Sequence, residues 1–147
     1  MDVTFAPASV DDAFLRRFED SFLGGIEPVL EGVGLSRDEL VETMRETGDV
    51  LAVVVDGEEA GSLWLELRER TLHLHALLLD EVWRGRGVGR AVLDLLDEQF
   101  AGLADELELG VQEGNEPAER LYEGTGFREV SAQPELGFRV LRRPVPD

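Results

Sequence analysis

Residues 79–91 read Leu-Asp-Glu-Val-Trp-Arg-Gly-Arg-Gly-Val-Gly-Arg-Ala. Gly85, Gly87 and Gly89 alternate with Arg86 and Val88, after an apolar strand-like run and before a helix-like run. A strand that feeds a glycine-rich turn opening a helix is an anion cradle. Successive backbone N–H groups point at the ligand, and the helix N-terminus adds a partial positive charge. Glycine lets a ligand approach the backbone with no Cβ in the way. Arg84, Arg86 and Arg90 add local positive charge to a chain whose net charge is −18. The stretch therefore predicts a phosphate-bearing ligand.

Two common phosphate loops do not fit. The dinucleotide fingerprint Gly-x-Gly-x-x-Gly fails from Gly85, where its last glycine falls on Arg90, and from Gly87, where it falls on Val92. The nucleoside-triphosphate loop needs Gly-Lys-Ser/Thr, and this chain has no lysine. What remains is Arg-x-x-Gly-x-Gly, at Arg84, Gly87 and Gly89. Taken alone, it also fits a tight strand-to-helix turn in any α/β protein.

The motif resembles the pyrophosphate loop of the GNAT acetyltransferase superfamily, Gln/Arg-x-x-Gly-x-Gly/Ala. A second segment, Asn-Glu-Pro-Ala-Glu-Arg-Leu-Tyr-Glu-Gly-Thr-Gly-Phe at 115–127, resembles the downstream signature of that family. It matches at Asn115, Ala118, Leu121, Tyr122, Gly126 and Phe127. The two motifs stand in the family's order, and the resemblance covers residues 50–130 best. It implies acetyl-coenzyme A as cofactor, held by Arg84, Gly85, Arg86, Gly87, Val88, Gly89 and Arg90. It also implies backbone contacts to the acyl-pantetheine arm at Leu77 and Leu79, an oxyanion donor among the amides near Leu79, and a cofactor contact at Asn115. Asn115 equally suits a helix N-cap.

The resemblance further implies a mixed α/β fold whose mostly antiparallel sheet has one splayed parallel strand pair, flanked by helices. Periodicity along the chain agrees with that order. Val3–Pro7 reads as a strand. Ser9 is placed to cap a helix to about Phe22, with Phe14, Phe18 and Phe22 at four-residue spacing. Leu23–Leu35, rich in glycine and with Pro28, reads as a loop or broken helix. Ser36 and Glu39 form a capping box for a helix to about Thr47. Val50–Val55 and Glu59–Arg68 read as strands joined at Asp56-Gly57, followed by a strand at Thr71–Leu79. A helix over Gly87–Leu103, a strand at Glu106–Val111, a helix over Pro117–Glu123 and strands at Phe127–Val130 and Gly137–Arg142 complete the order.

Acetyl transfer to an amine requires that the amine lose a proton, that charge on the acyl oxygen meet a donor, and that the leaving thiolate gain a proton. By resemblance Tyr122, the one tyrosine of the chain, is the acid toward the thiolate. Its plain alternative is a core aromatic. His73 and His75 are the only histidines. Their spacing puts both on one strand face, on the order of 6.5–7 Å apart, and histidine titrates near neutrality. The segment His-Leu-His-Ala-Leu resembles the corresponding strand of arylalkylamine N-acetyltransferase, where such a pair is tied to amine deprotonation. Glu66, Glu69 and Glu81 are rival bases, and the histidines could equally face solvent without a role. No third ligand accompanies them for a metal.

Composition bounds the rest. A length of 147 residues suggests one domain. No apolar run approaches the roughly 20 residues of a membrane span, the first residues lack a signal-peptide pattern, and there is no cysteine. These features give a cytoplasmic expectation with no membrane partner. Thirty-two acidic residues against 14 arginines argue against nucleic acid, which favours basic surfaces. The same balance fits a salt-adapted proteome, while high-GC codon usage accounts equally well for arginine in place of lysine. The expected activity is an N-acetyltransferase acting on a small-molecule amine or a peptide N-terminus or lysine. A non-catalytic acyl-coenzyme A sensor is the alternative, and a different acyl donor such as succinyl-coenzyme A is a third reading. Dimers are common in the family, so a homodimer is allowed, though no interface signature is legible.

Overall fold

The computed structural model describes all of residues 1–147. A seven-stranded sheet has the order β1-β2-β3-β4-β5-β7-β6. Its strands are β1 (Val3–Pro7), β2 (Asp49–Val55), β3 (Glu58–Arg68), β4 (Thr71–Leu79), β5 (Glu106–Gln112), β6 (Arg128–Gln133) and β7 (Phe138–Pro144). All neighbours are antiparallel except β4 and β5. Helices α1 (Asp12–Asp20), α2 (Glu27–Val33) and α3 (Arg37–Glu46) lie between β1 and β2, α4 (Val88–Phe100) follows β4, and α5 (Glu116–Gly124) follows β5. This is the expected mixed α/β arrangement with one parallel pair. No helix is long and apolar enough to cross a membrane.

Two apolar clusters cover the two sheet faces. The larger joins Leu63, Leu65, Leu72, Leu74, Leu107, Leu109 and Leu141 to Val88, Val92, Leu93 and Leu96 of α4 and Tyr122 of α5. The smaller packs Phe14, Phe18, Ile26, Leu30 and Met44 of α1–α3 on Val50, Trp64 and Leu78. Alternation along each strand sends neighbouring side chains to opposite clusters.

Local chemistry sets most boundaries. Asp56 and Gly57 both have positive φ (50° and 85°), the geometry of a tight β2–β3 hairpin. Ser36 and Glu39 make both bonds of the capping box, each at 3.1 Å. The expected cap at Ser9 is wrong. Asp11 caps α1, its Oδ1 accepting from Phe14 N–H at 2.9 Å, because its backbone is extended (φ −108°, ψ −178°) two residues nearer the first turn. The glycine-rich 23–35 segment is a broken helix. α1 ends at Asp20 with Ser21 as its C-cap, and Gly24 and Gly25, with φ of 81° and 86°, separate it from α2. Pro28 then sits in the first turn of α2, and Gly34 ends that helix in the left-handed conformation. At the far end of α4, Gly102 (φ 79°) follows an earlier stop at Phe100 than the expected Leu103.

Candidate active site

The parallel register between β4 and β5 runs only from Thr71↔Glu106 to Leu74↔Leu109. The next residue, His75, has no partner on β3 either. Leu65 pairs with Leu74 and Trp64 with Ala76, so His75 is the extra residue of a β-bulge. Beyond it the two strands part. The bulge also shifts the alternation by one: His75 and Ala76 both lie on the α1–α3 face, while Leu77 and Leu79 pack against the α4 cluster. An unbroken alternation would have put Leu77 and Leu79 on the histidine face.

The backbone of the parted strands is aimed into the gap. Asp80 N–H donates to the Ala60 carbonyl at 2.9 Å. Antiparallel backbone groups alternate between neighbours, so Leu78 and Ala76 also face β3, and Leu77 and Leu79 face the β5 side. On the other wall Glu113 N–H donates to Gly137 O at 2.8 Å, which by the same alternation turns Gly110 and Gln112 toward the gap. The Leu79 carbonyl is already engaged by Arg84 Nε at 3.0 Å. Leu79 N–H and both backbone groups of Leu77 remain.

At the end of β4 the glycine loop enters α4. Gly85 and Gly87 have φ of 70° and 82°, a conformation that favours glycine. A Cβ on Gly85 would meet nothing within 4 Å, and one on Gly87 only the Met1 methyl at 4.0 Å. Gly89 serves differently: its Cβ would strike Leu121 at 2.8 Å, so this glycine lets α4 pack on α5. No acceptor within the chain takes the N–H groups of Gly85, Arg86 or Gly87. Those of Val88, Gly89 and Arg90 belong to the first helical turn, which has no intrahelical acceptor. Asp11, Ser36 and Asn115 cap α1, α3 and α5, whereas α4 begins at Gly87 with no side-chain cap and no acid in its first turn. In a chain with 32 acidic residues, that leaves one helix of this size with its positive end unneutralised.

The three loop arginines diverge. Arg84 turns back on β4. Arg86 lies over the Trp83 ring at 4.6 Å and donates to Val82 O at 3.3 Å. Arg90 reaches the Gly124 carbonyl at the end of α5, at 3.3 Å. Val88 is buried in the core, so its contribution to the loop is its backbone.

His73 and His75 stack with ring centroids 6.2 Å apart, planes 17° from parallel. His75 Nε2 hydrogen-bonds Glu66 Oε1 at 3.0 Å, and its ring lies on Trp64 with centroids 4.5 Å apart. His73 Nδ1 lies 3.2 Å from Glu108 Oε1, while Glu108 is also held by Arg142. Hydrogen bonding from Arg68, then from His75, holds the Glu66 carboxyl below its ordinary range. Of the rival bases, Glu66 joins the histidines; Glu69 occupies a left-handed turn position (φ 55°), and Glu81 opens the short turn that precedes the glycine loop.

Tyr122 is 8% exposed and packs edge-on to Phe127 at 5.5 Å. Its hydroxyl has no partner within the chain. Burial pushes its pKa up to about 12. Asn115 caps α5, its Oδ1 accepting from Ala118 N–H at 3.5 Å.

Several contributors are not legible in the sequence. Arg17 on α1 donates through Nε and Nη2 to the two oxygens of Asp80 (2.8 and 2.9 Å), through Nη1 to Ser62 Oγ, and through Nη2 to Glu59. This ties α1 to the residue from which the loop departs. Gln112 at the end of β5 pairs with both backbone groups of Leu23, at 2.8 and 2.9 Å. Glu108 and Arg142 come from strands distant in sequence. Opposite charges on predicted neighbouring strands are the one available signal, and it needs the sheet order to be used.

Residues 13–127 match the model of the Acetyltransferase (GNAT) family. An 85-residue segment is 37% identical to a mycothiol acetyltransferase of Beutenbergia cavernae, covering 56% of this chain and 29% of that protein. The chain spans less than a third of the curated relatives it matches, 29% of this one and 16% of another. Among solved structures, an acetyltransferase from Thermus thermophilus superposes with a TM-score of 0.66 at 23% identity, covering 98% of this chain and 97% of that one. The PaiA N-acetyltransferase of Thermoplasma acidophilum, in complex with coenzyme A, gives a TM-score of 0.64 at 14% identity, over 98% and 99% of the two chains. At these identities the structures share the fold.

Proposed function

The chain belongs to the Acetyltransferase (GNAT) family, and from that premise we propose that it acts as a single domain transferring an acetyl group from acetyl-coenzyme A to a primary amine. The amine belongs to a small molecule or to a protein N-terminus or lysine. The observation that carries the proposal is the uncapped, acid-free start of α4 beside unpartnered loop amides. Six consecutive N–H groups, Gly85 to Arg90, fit a pyrophosphate. Leu77 and Leu79 on one wall, Gly110 and Gln112 on the other, fit the amides of a pantetheine arm. That a relative is named a mycothiol acetyltransferase, and a structural neighbour binds coenzyme A, supports the same donor.

Bound acetyl-coenzyme A would supply the acyl group and a thiolate leaving group; the protein's part is to place the amine and manage its proton. The amine nitrogen forms the new bond to the acyl carbon as the carbon–sulfur bond breaks, and the proton lost from nitrogen passes to the His73/His75 pair. Leu79 N–H, on the gap side of β4 where the strands part, would be a free donor for the acyl oxygen. Tyr122, with a pKa of about 12, lies well above an ordinary thiol near 8.5. Full proton transfer to sulfur would therefore be uphill, and the hydroxyl would act on the leaving atom as a hydrogen-bond donor.

A non-catalytic acyl-coenzyme A sensor would need the loop alone. The carboxylate-held histidine pair and the unpartnered Tyr122 hydroxyl favour the enzyme. The test is to incubate the protein with acetyl-coenzyme A at high salt against arylalkylamines, polyamines, amino acids and short peptides, reading thiol release and the N-acetyl product by mass. Release that depends on one amine class is expected. Tight coenzyme A binding with no release across the panel would overturn transfer in favour of the sensor.

A further inference from the structure

We infer that Glu66 is a positioning residue that fixes His75 as the Nε2–H tautomer and so makes Nδ1 of His75 the atom that takes the acceptor's proton. The inference rests on the transfer reading above. Neither histidine is distinguished by sequence, but the sheet separates them. His73 lies within the paired part of β4, opposite Glu108. His75 is the unmatched residue of the bulge, at the point where β4 leaves β5 and the gap opens.

The contacts separate them further. An ionised carboxylate only accepts, so the His75 nitrogen 3.0 Å from Glu66 Oε1 carries the proton. In the neutral ring the other nitrogen, Nδ1, then carries the free lone pair. The Trp64 ring packs on one face of the imidazole, with centroids 4.5 Å apart. Glu66 is kept ionised by its bond from Arg68 at 2.8 Å. When Nδ1 takes a proton, the positive charge lies against a carboxylate already in place, the arrangement that lowers the cost of an imidazolium. His73 differs. Its neighbour Glu108 gives much of its charge to Arg142, which approaches both Glu108 and Glu106. The charged groups facing the pair are thus Glu66 and Arg68 from β3, Glu108 from β5 and Arg142 from β7. His73 stacks beside it with ring centroids 6.2 Å apart and adds a second imidazole next to the base without a direct hydrogen bond to it.

With only two histidines, long-range 1H–15N spectra of the imidazoles report each tautomer directly. His73→Gln assigns the remaining signals to His75. The expected result is a dominant Nε2–H tautomer at His75 in the wild type, retained in Glu66→Gln, whose amide oxygen still accepts. In Glu66→Leu the tautomers should mix and kcat should fall about tenfold or more, with KM for acetyl-coenzyme A unchanged. An Nδ1–H tautomer at His75 in the wild type would overturn the inference. So would a Glu66→Leu protein that keeps both the tautomer and the turnover. A wild type that acetylates no amine would remove the base assignment with the transfer reading, while the spectra would still decide whether Glu66 orients the ring.

Discussion

The imidazole of His75 lies on the indole of Trp64, ring centroids 4.5 Å apart and planes 34° from parallel. The indole is itself fixed, its Nε1–H donating to the Thr47 carbonyl at 2.7 Å just past α3. It also touches Phe14 and Phe18 at 6.3 and 6.1 Å. One ring therefore joins the α1–α3 layer to the bulge.

Trp64→Phe keeps an aromatic surface and leaves the Thr47 carbonyl without its donor. The expected cost is about 0.5–1.5 kcal/mol of stability, the net worth of the half-buried hydrogen bond that is lost, measured by urea unfolding. Turnover should fall as the His75 ring loosens. A variant as stable as the wild type would mean that the indole bond contributes nothing.

At Gly87, φ is 82° and the space beside the Cα is open. Gly87→Val adds strain in the left-handed region, about 1–2 kcal/mol, and places a side chain among the loop amides. Coenzyme A affinity should drop by at least tenfold in calorimetric titration, with the protein still folded. Wild-type affinity would remove the loop from the donor site.

Tyr122 is the sole tyrosine, so tyrosinate absorbance reads it alone. Its folded pKa is raised to about 12 by burial, against an unfolded value of about 10. The neutral ring's contribution to stability is thus complete below pH 10 and is lost as pH rises toward 12. No tyrosinate should form in the native protein as pH passes 10. Half-titration near 10 with the fold intact would contradict the burial. Tyr122→Phe should lower kcat by about 10- to 100-fold, the worth of one hydrogen bond to a charged group, at unchanged donor affinity. Unchanged turnover would remove the residue from the chemistry.

Arg17 holds the Asp80 carboxyl below its usual range. A lowered carboxyl pKa stabilises the fold above the unfolded value near 3.9, and that contribution disappears as pH falls through the folded value. Asp80→Asn should cost about 1–2 kcal/mol at pH 7, discounted because the Asp80 side chain is 38% exposed. It should also flatten the loss of stability below pH 4. An acid limb identical to the wild type would mean the pair is not a stability element.

What can be read without the structure is local. Thr71–Leu79 is bounded by turn residues and filled with apolar side chains, and Ser36 with Glu39 carries a complete cap. The α4 loop can be read because glycine at Gly85 and Gly87 answers a backbone requirement within the same few residues. What cannot be read is set across strands. The bulge at His75 arises from mismatch with β3 at Trp64 and Leu65; no residue type in His-Leu-His-Ala-Leu announces it, yet it decides which face Leu77 and Leu79 take. Glu66 and Glu108 look like surface carboxylates until β3 and β5 bring them to the histidines. Gly89 looks like part of the anion cradle, but its constraint comes from Leu121, 32 residues later.

Residue-resolved binding tests the central geometry most directly. In 1H–15N spectra of the protein titrated with acetyl-coenzyme A, the amides of Gly85 to Arg90 and those of Leu77, Leu79, Gly110 and Gln112 should shift together and saturate at one concentration. Saturable binding that leaves these amides unmoved and shifts another part of the sheet would contradict the account.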